Sequence, residues 1–184
     1  MVPERAVFLD RDGVLNATVG GGPGSPRSET EFHLIPQAPD VCARLREAGF
    51  RLVVTTNQPE IARGLLDPEA LTGMHERLRS SLGVGEVRVC THDDGDGCGC
   101  RKPRPGLILD AARELDIDLA ASFVVGDRWR DVEAGRRAGC TTILIDRPWS
   151  EAERSRPDHS VASLGEALDV ILHDPRPAAE PAAG

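Results

Sequence analysis

The chain has 184 residues, is 40% hydrophobic and 3% aromatic, contains no tyrosine and carries a formal net charge of −8. That length fits one domain with a sizeable core; the scarcity of aromatic rings argues against a stacking platform for single strands, and the negative charge argues against a binder of nucleic-acid backbones. No apolar run approaches the ~20 residues of a membrane span and residues 1–9 lack a signal-peptide stretch, so the expectation is a cytoplasmic protein with neither nucleic acid nor membrane as partner.

In chain order, residues 5–9 read as a buried strand. Residues 19–28, Val-Gly-Gly-Gly-Pro-Gly-Ser-Pro-Arg-Ser, read as a mobile loop by composition; they lack the Gly-Lys-Ser/Thr of a P-loop. Residues 38–48 carry Val41, Leu45 and Ala48 at helical spacing and stop at Gly49. A second strand follows at 50–55. A helix at 68–82 buries Leu71, Met74 and Leu78. Residues 87–90 make a third strand, 105–115 a helix with Pro at its start, 123–126 a fourth strand and 130–138 a helix stopped by Gly139. A fifth strand at 141–145 and a closing helix at 161–172 complete the pattern. Residues 1–173 read as one domain, and the Pro- and Ala-rich residues 174–184 as a disordered tail. Strands alternating with helices predict an α/β fold with a parallel sheet covered on both faces.

Polar residues of different kinds follow four of these strands. Asp10 and Asp12 follow the first, Thr56, Asn57 and Gln58 the second, Arg101 and Lys102 the third beyond a loop, and Asp127, Arg128 and Asp131 the fourth. In an open α/β sheet such sets converge outside the carboxyl ends of the strands. Paired carboxylates on adjacent loops suit Mg²⁺, and one of them can serve as a nucleophile; the plainer reading of Asp12-Gly13 is a turn after a buried strand. Nucleophile, proton donor, cations and Mg²⁺ ligands together are the inventory of phosphoryl transfer. Lys102 is the only lysine among 22 basic residues, which points to a position where a compact ammonium is needed and a guanidinium fork does not fit. Asp131 reads equally as a carboxylate favoured by a helix N-terminus or as support for Mg²⁺. Arg63 reads as a solvated surface arginine.

Five cysteines are an odd number, and three fall between Cys90 and Cys100, which points to metal rather than a disulfide framework. Cys90-x-His92 and Cys98-x-Cys100 supply three thiolates and one imidazole, the set of a closed structural Zn²⁺ tetrahedron; four reduced, metal-free side chains are the alternative. Asp93, Asp94 and Asp96 mimic part of a Ca²⁺ loop but lack its closing glutamate. Cys42 and Cys140 read as buried small hydrophobes, and His33, His75, His159 and His173 as ordinary residues without ligand-spaced partners.

The ordered motifs resemble the haloacid dehalogenase (HAD) superfamily of phosphohydrolases. Asp-x-Asp-Gly-Val matches its first motif, Thr56 its second, Lys102 its third and Gly-Asp-Arg-Trp-Arg-Asp (126–131) its fourth. More specific strings, Phe-Leu-Asp-Arg-Asp-Gly-Val-Leu-Asn (8–16), Thr-Asn-Gln-x-x-Ile-Ala-Arg-Gly (56–64) and Cys-Arg-Lys-Pro-x-Pro-Gly (100–106), are similar to the family of heptose-bisphosphate and histidinol-phosphate phosphatases, over residues 5–172. The resemblance implies a three-layer α/β/α Rossmann-like fold with no large cap domain and a short zinc-binding loop at 90–100. It implies Asp10 as nucleophile, Asp12 as general acid and then base, Thr56 and Lys102 on the phosphoryl group, and Mg²⁺ held by Asp10, Asp127 and the Asp12 carbonyl. It implies Zn²⁺ on Cys90, His92, Cys98 and Cys100. Arg11, Asn57, Gln58, Arg101 and Arg128 are expected to bind substrate, a small phosphorylated metabolite, in a monomeric enzyme. The chain departs from the family at Thr-Val-Gly-Gly-Gly (18–22), where an Asp-His-Gly-Tyr-like run is usual, and at Pro59-Glu60, where Ser-Gly is usual. Two alternatives stand beside a heptose bisphosphatase: another small-metabolite phosphatase, histidinol phosphate among its substrates, and a catalytically silent, zinc-stabilised binding module.

Overall fold

Strand β1 (Ala6–Leu9) lies inside a six-stranded sheet whose order is β3-β2-β1-β4-β5-β6, with every neighbouring pair parallel. The structure, a computed structural model, describes residues 3–175. The remaining elements are α1 (Ala38–Glu47), β2 (Arg51–Asn57), α2 (Pro68–Leu82), β3 (Glu86–Cys90), α3 (Gly106–Leu115), β4 (Phe123–Gly126), α4 (Trp129–Ala138), β5 (Thr141–Ile145), β6 (His159–Val161) and α5 (Leu164–Leu172). This is the doubly wound order, in which the chain reverses its direction of winding between β1 and β4.

Alternation along the strands divides the core into two. Val7 and Leu9 of β1 join Leu52, Val54, Phe123 and Val125 under α1, α2 and α5. Ala6 and Phe8 join Val53 and Val124 under α3 and α4. Both faces are therefore covered, which is why β1 reads as an unbroken apolar run. Helix α2 begins where Asp67 accepts the Glu69 N–H at 2.7 Å and Pro68 supplies the fixed φ of a first turn. The α/β/α expectation is met, with β2 longer and the closing helix shorter than expected. Strand β2 runs on to Asn57 because Thr56 and Asn57 pair with Val89 and Cys90. The expected helix from residue 161 is instead a strand followed by a helix. His159–Val161 pairs with β5, and α5 starts after Ser163, whose hydroxyl accepts the Glu166 N–H at 3.2 Å. A three-residue edge strand with exposed His159 and Ser160 has no apolar alternation by which to be read. The Gly-rich segment is closed into a turn: the Val19 N–H donates to the Gly24 carbonyl at 2.8 Å, and Gly20 and Gly21 take φ of 75° and 70°, values glycine adopts freely. The tail expected at 174–184 lies, from residue 176 onward, outside the described residues.

Candidate active site

The carboxyl ends of β1, β2 and β4 bring Asp10, Asp12, Thr56, Asn57 and Asp127 together at the point where the winding reverses. A cavity of about 330 Å³ opens there, lined by Asp10, Asp12, Thr56, Asn57, Lys102 and Asp131. One oxygen each from Asp10, Asp127 and Asp131 lies within 4.8 Å of the others. Lys102 Nζ donates to Asp10 Oδ1 at 2.9 Å and to the Thr55 carbonyl at 2.8 Å, and pairs with Asp131 at 2.5 Å. Asn57 clasps the Lys102 main chain from both sides, its Nδ2 donating to the carbonyl and its Oδ1 accepting the N–H, each at 3.1 Å. Asn57 thus lines the cavity while holding Lys102 in place.

Burial pushes the Asp10 carboxyl up to about 8; Lys102 opposes this, while Asp131, Asp127 and Asp12 reinforce it. Burial likewise raises Asp127 to about 6, with Asp131 adding to the effect. Three clustered carboxylates share one ammonium, and Asp127 Oδ1 is buried without a hydrogen-bond partner among the described residues. An orphaned acceptor beside excess negative charge fits a hard divalent cation with oxygen ligands. Gly13 makes the close approach feasible. Its φ is 87°, and a Cβ there would fall 2.1 Å from Asp127 Oδ2.

Asp12 has a different environment. Oδ1 accepts from Arg11 Nε at 3.0 Å and Asn16 Nδ2 at 2.9 Å; Oδ2 accepts from Arg11 Nη2 at 3.0 Å and Gln58 Nε2 at 2.8 Å. Burial alone would raise this carboxyl, but the Arg11 charge and these four donors hold it below the usual range. The arrangement is that of an ionised Asp12. Two expectations are corrected at this point. Arg11 is fully buried and Gln58 equally so; neither lines the cavity, and both act on Asp12. Arg11 lies in a bend past the end of β1, and its guanidinium folds back onto Asp12 from a fully buried position. There its Nη1 meets His75 Nε2 at 3.3 Å and its guanidinium lies 5.7 Å from the Phe32 ring centroid. His75, read as ordinary, supports this buried arginine.

Past the carboxylates, the lining carries Arg63, Arg101, Arg128 and Arg130 against Glu60 and Asp94. Arg63 is exposed, as read, and it also lines the cavity and forks Asp93, with Nε to Oδ2 at 2.7 Å. Arg101 donates to Asp94 at 2.8 Å and to the His92 carbonyl at 3.3 Å. Arg128 donates to the Pro23 carbonyl at 2.7 Å, tying the Gly-rich turn to the rim. Asp131 accepts the Arg128 N–H at 3.1 Å at the start of α4, as its helix-terminus reading expects, and it also joins the carboxylate cluster. Trp149 was not legible as a site residue, yet its indole reaches Asp127.

The cysteine cluster closes as its spacing predicts. Cys90 Sγ lies 3.1 Å from Cys100 Sγ, 3.7 Å from Cys98 Sγ and 3.5 Å from His92 Nδ1, and Cys100 Sγ lies 3.4 Å from the same nitrogen. Ligands at Zn–S distances in a tetrahedron stand about 3.8 Å apart, so four atoms at this spacing fit that ion. Burial pushes the Cys90 thiol up to about 12, so a thiolate there calls for a cation. Cys42 and Cys140 are buried, as expected of small hydrophobes.

Comparison with known proteins agrees with this geometry. The HAD-hydrolase-like family matches residues 99–167. The D-glycero-beta-D-manno-heptose-1,7-bisphosphate 7-phosphatase of Bordetella bronchiseptica is 38% identical over 146 residues, covering 77% of this chain and 80% of that protein. The D-glycero-alpha-D-manno-heptose-1,7-bisphosphate 7-phosphatase of Mycobacterium tuberculosis is 37% identical over 161 residues, covering 79% and 84%. The crystal structure of the B. bronchiseptica D,D-heptose 1,7-bisphosphate phosphatase, complexed with magnesium and phosphate, superposes with a TM-score of 0.81 at 33% identity, over 91% of this chain and 98% of that one. A doubly wound sheet with this cluster at its switch point is that of a HAD-type phosphohydrolase. The chain belongs to the HAD-like hydrolases, in the family of the heptose-1,7-bisphosphate 7-phosphatases, and is a phosphatase.

Proposed function

We propose that this chain is a Mg²⁺-dependent phosphomonoester hydrolase that removes the 7-phosphate of D-glycero-D-manno-heptose 1,7-bisphosphate through an aspartyl phosphate on Asp10. The observation that carries the reading is the Asp10–Lys102–Asp131 cluster with the orphaned Asp127 oxygen beside it. Asp10 attacks phosphorus and the bond to the sugar oxygen breaks. Asp12 supplies the proton to that oxygen, a step that requires its donors to regroup, because the arrangement described above is its ionised form. Ionised Asp12 then takes a proton from water, which attacks the aspartyl phosphate and releases inorganic phosphate. Thr56 holds the phosphoryl oxygens together with Lys102, whose ammonium redirects to them one of the three protons it gives to Asp10, Asp131 and the Thr55 carbonyl. Asp10, Asp127 and the Asp12 carbonyl would hold Mg²⁺, with Asp131 alongside, and the bound ion would offset the charge of the transferring group. Zn²⁺ on Cys90, His92, Cys98 and Cys100 shapes the loop that carries Arg101 and Lys102 and takes no part in the chemistry.

The outer lining favours this substrate over histidinol phosphate. Four guanidiniums against two carboxylates attract a second phosphate and repel an ammonium. We read residues 1–173 as one catalytic unit, monomeric and cytoplasmic; no described helix is long and apolar enough to cross a membrane. The test is phosphate release from a panel holding both heptose bisphosphate anomers, a heptose monophosphate and histidinol phosphate, with and without chelator. The expected result is preference for a bisphosphate, loss of turnover with chelator, and recovery with Mg²⁺ but not Ca²⁺. Preference for histidinol phosphate would overturn the substrate, and full turnover after metal removal would overturn the Mg²⁺ assignment.

A further inference from the structure

Trp149 lies in the connection between β5 and β6, outside every motif, and its Nε1–H donates to Asp127 Oδ2 at 2.7 Å. The same oxygen is bounded on another side by Gly13, where a Cβ would come within 2.1 Å of it. The second oxygen, Oδ1, is the buried acceptor without a partner among the described residues, and Asp127 is only 1% exposed. One oxygen is therefore pinned and the other is left for a ligand.

The turn that delivers the indole is itself fixed. The Ser150 N–H donates to the Arg147 carbonyl at 3.0 Å, the Arg147 N–H to Ser150 Oγ at 2.7 Å, and the Trp129 N–H to the Ser150 carbonyl at 2.9 Å. The last of these bonds ties the turn to the first residue of α4. Ser150 is fully buried.

We infer that Trp149 is a positioning residue for the metal centre: its N–H locks the Asp127 carboxylate in the rotamer that presents Oδ1 to Mg²⁺. The inference rests on the Mg²⁺ reading given above and adds a residue to it. Without the indole, the carboxylate gains freedom to rotate, and ordering it again on metal binding costs affinity. Loss of a hydrogen bond that orients a metal ligand typically weakens metal binding about 10–100-fold.

The experiment is calorimetric titration of the magnesium-free, zinc-replete protein with Mg²⁺, comparing wild type, Trp149→Phe and, as a control, Trp129→Phe, whose indole bonds Glu151 instead. Trp149→Phe is expected to raise the Mg²⁺ Kd by about 10–100-fold, with turnover restored at saturating Mg²⁺ and the KM for substrate unchanged. Trp129→Phe is expected to match wild type. A wild type that binds Mg²⁺ alongside a folded Trp149→Phe of equal Kd would overturn the inference alone. A wild type that binds no Mg²⁺ would overturn the metal reading beneath it. Should Trp149→Phe not fold, Trp129→Phe answers in its place, since the chain has two tryptophans. The indole N–H resonance that persists in Trp129→Phe should resist exchange and shift on Mg²⁺ titration; a resonance unmoved at saturation would overturn the inference.

Discussion

The Lys102 ammonium stands 2.9 Å from the Asp10 carboxylate, and Asp131 and the Thr55 carbonyl accept its other two protons. Three acceptors around one nearly buried nitrogen suit a compact ammonium, whose donors radiate from a point, and not a planar fork with a different reach. Lys102→Arg is therefore expected to lower kcat by on the order of 10²-fold or more. Steady-state turnover at saturating Mg²⁺ checks it. A variant retaining most of the wild-type kcat would show that the sole lysine is an accident of composition.

Asp10→Asn should abolish turnover, having no carboxylate with which to form the aspartyl phosphate. Asp12→Asn should lower kcat by about 10²–10⁴-fold, the range for losing a general acid or base. It carries a second defect. An amide presents donors at one of its two ends, so either Arg11 Nε and Asn16 or Arg11 Nη2 and Gln58 would face a donor where they now meet an acceptor. Thermal melts should therefore show Asp12→Asn less stable than wild type. Equal melting temperatures would contradict the hydrogen-bond account of that site.

Protein purified without chelator should hold about one zinc per chain, the stoichiometry of a closed three-cysteine, one-histidine site. Cys98→Ser or Cys100→Ser should release it and loosen the segment that carries Arg101, whose anchors, Asp94 and the His92 carbonyl, both belong to the same loop. Elemental analysis and KM for the bisphosphate report the two effects. Zinc-free wild type with full activity would remove the metal from the account.

His75 gives a pH signature. Burial, followed by the neighbouring Arg11 charge, lowers it from 6.5 to about 4. Between those values the unfolded chain binds a proton that the folded chain refuses, so stability falls as pH drops from about 6.5 toward 4 and the effect levels off below. His75→Gln has no proton to bind, so its melting temperature should fall less steeply across that window. A slope identical to wild type would indicate that His75 is not held neutral against Arg11.

Residue order along the chain revealed which residues gather at the sheet edge, because strand ends in this topology converge. It did not reveal which way each side chain faces. Arg11 sits between two site aspartates, but the bend past β1 buries its guanidinium against His75 of α2, 64 positions away. Gln58 looked like a substrate ligand and serves Asp12 instead. Trp149 and Asp127 are 22 positions apart and share no motif. Apolar runs bounded by Gly or Pro made β4, β5 and α2 legible to the residue, whereas β6, polar and at an edge, lacked that pattern.

The central place of β1 also has a kinetic consequence. Its hydrogen-bonded neighbours are β2, which starts at Arg51, and β4, which starts at Phe123; the Ala6 N–H bonds the Ser122 hydroxyl across 116 positions, and Asp10 meets Lys102 across 92. Such long-range pairings have to close large loops before they are rewarded and form late in folding. Asp127 arrives only with β4, so no amino-terminal fragment ending before Phe123 contains the cluster. Regain of phosphatase activity during refolding is thus a clock for the joining of β1 to β4, and during synthesis the chain stays inert until most of it has been made.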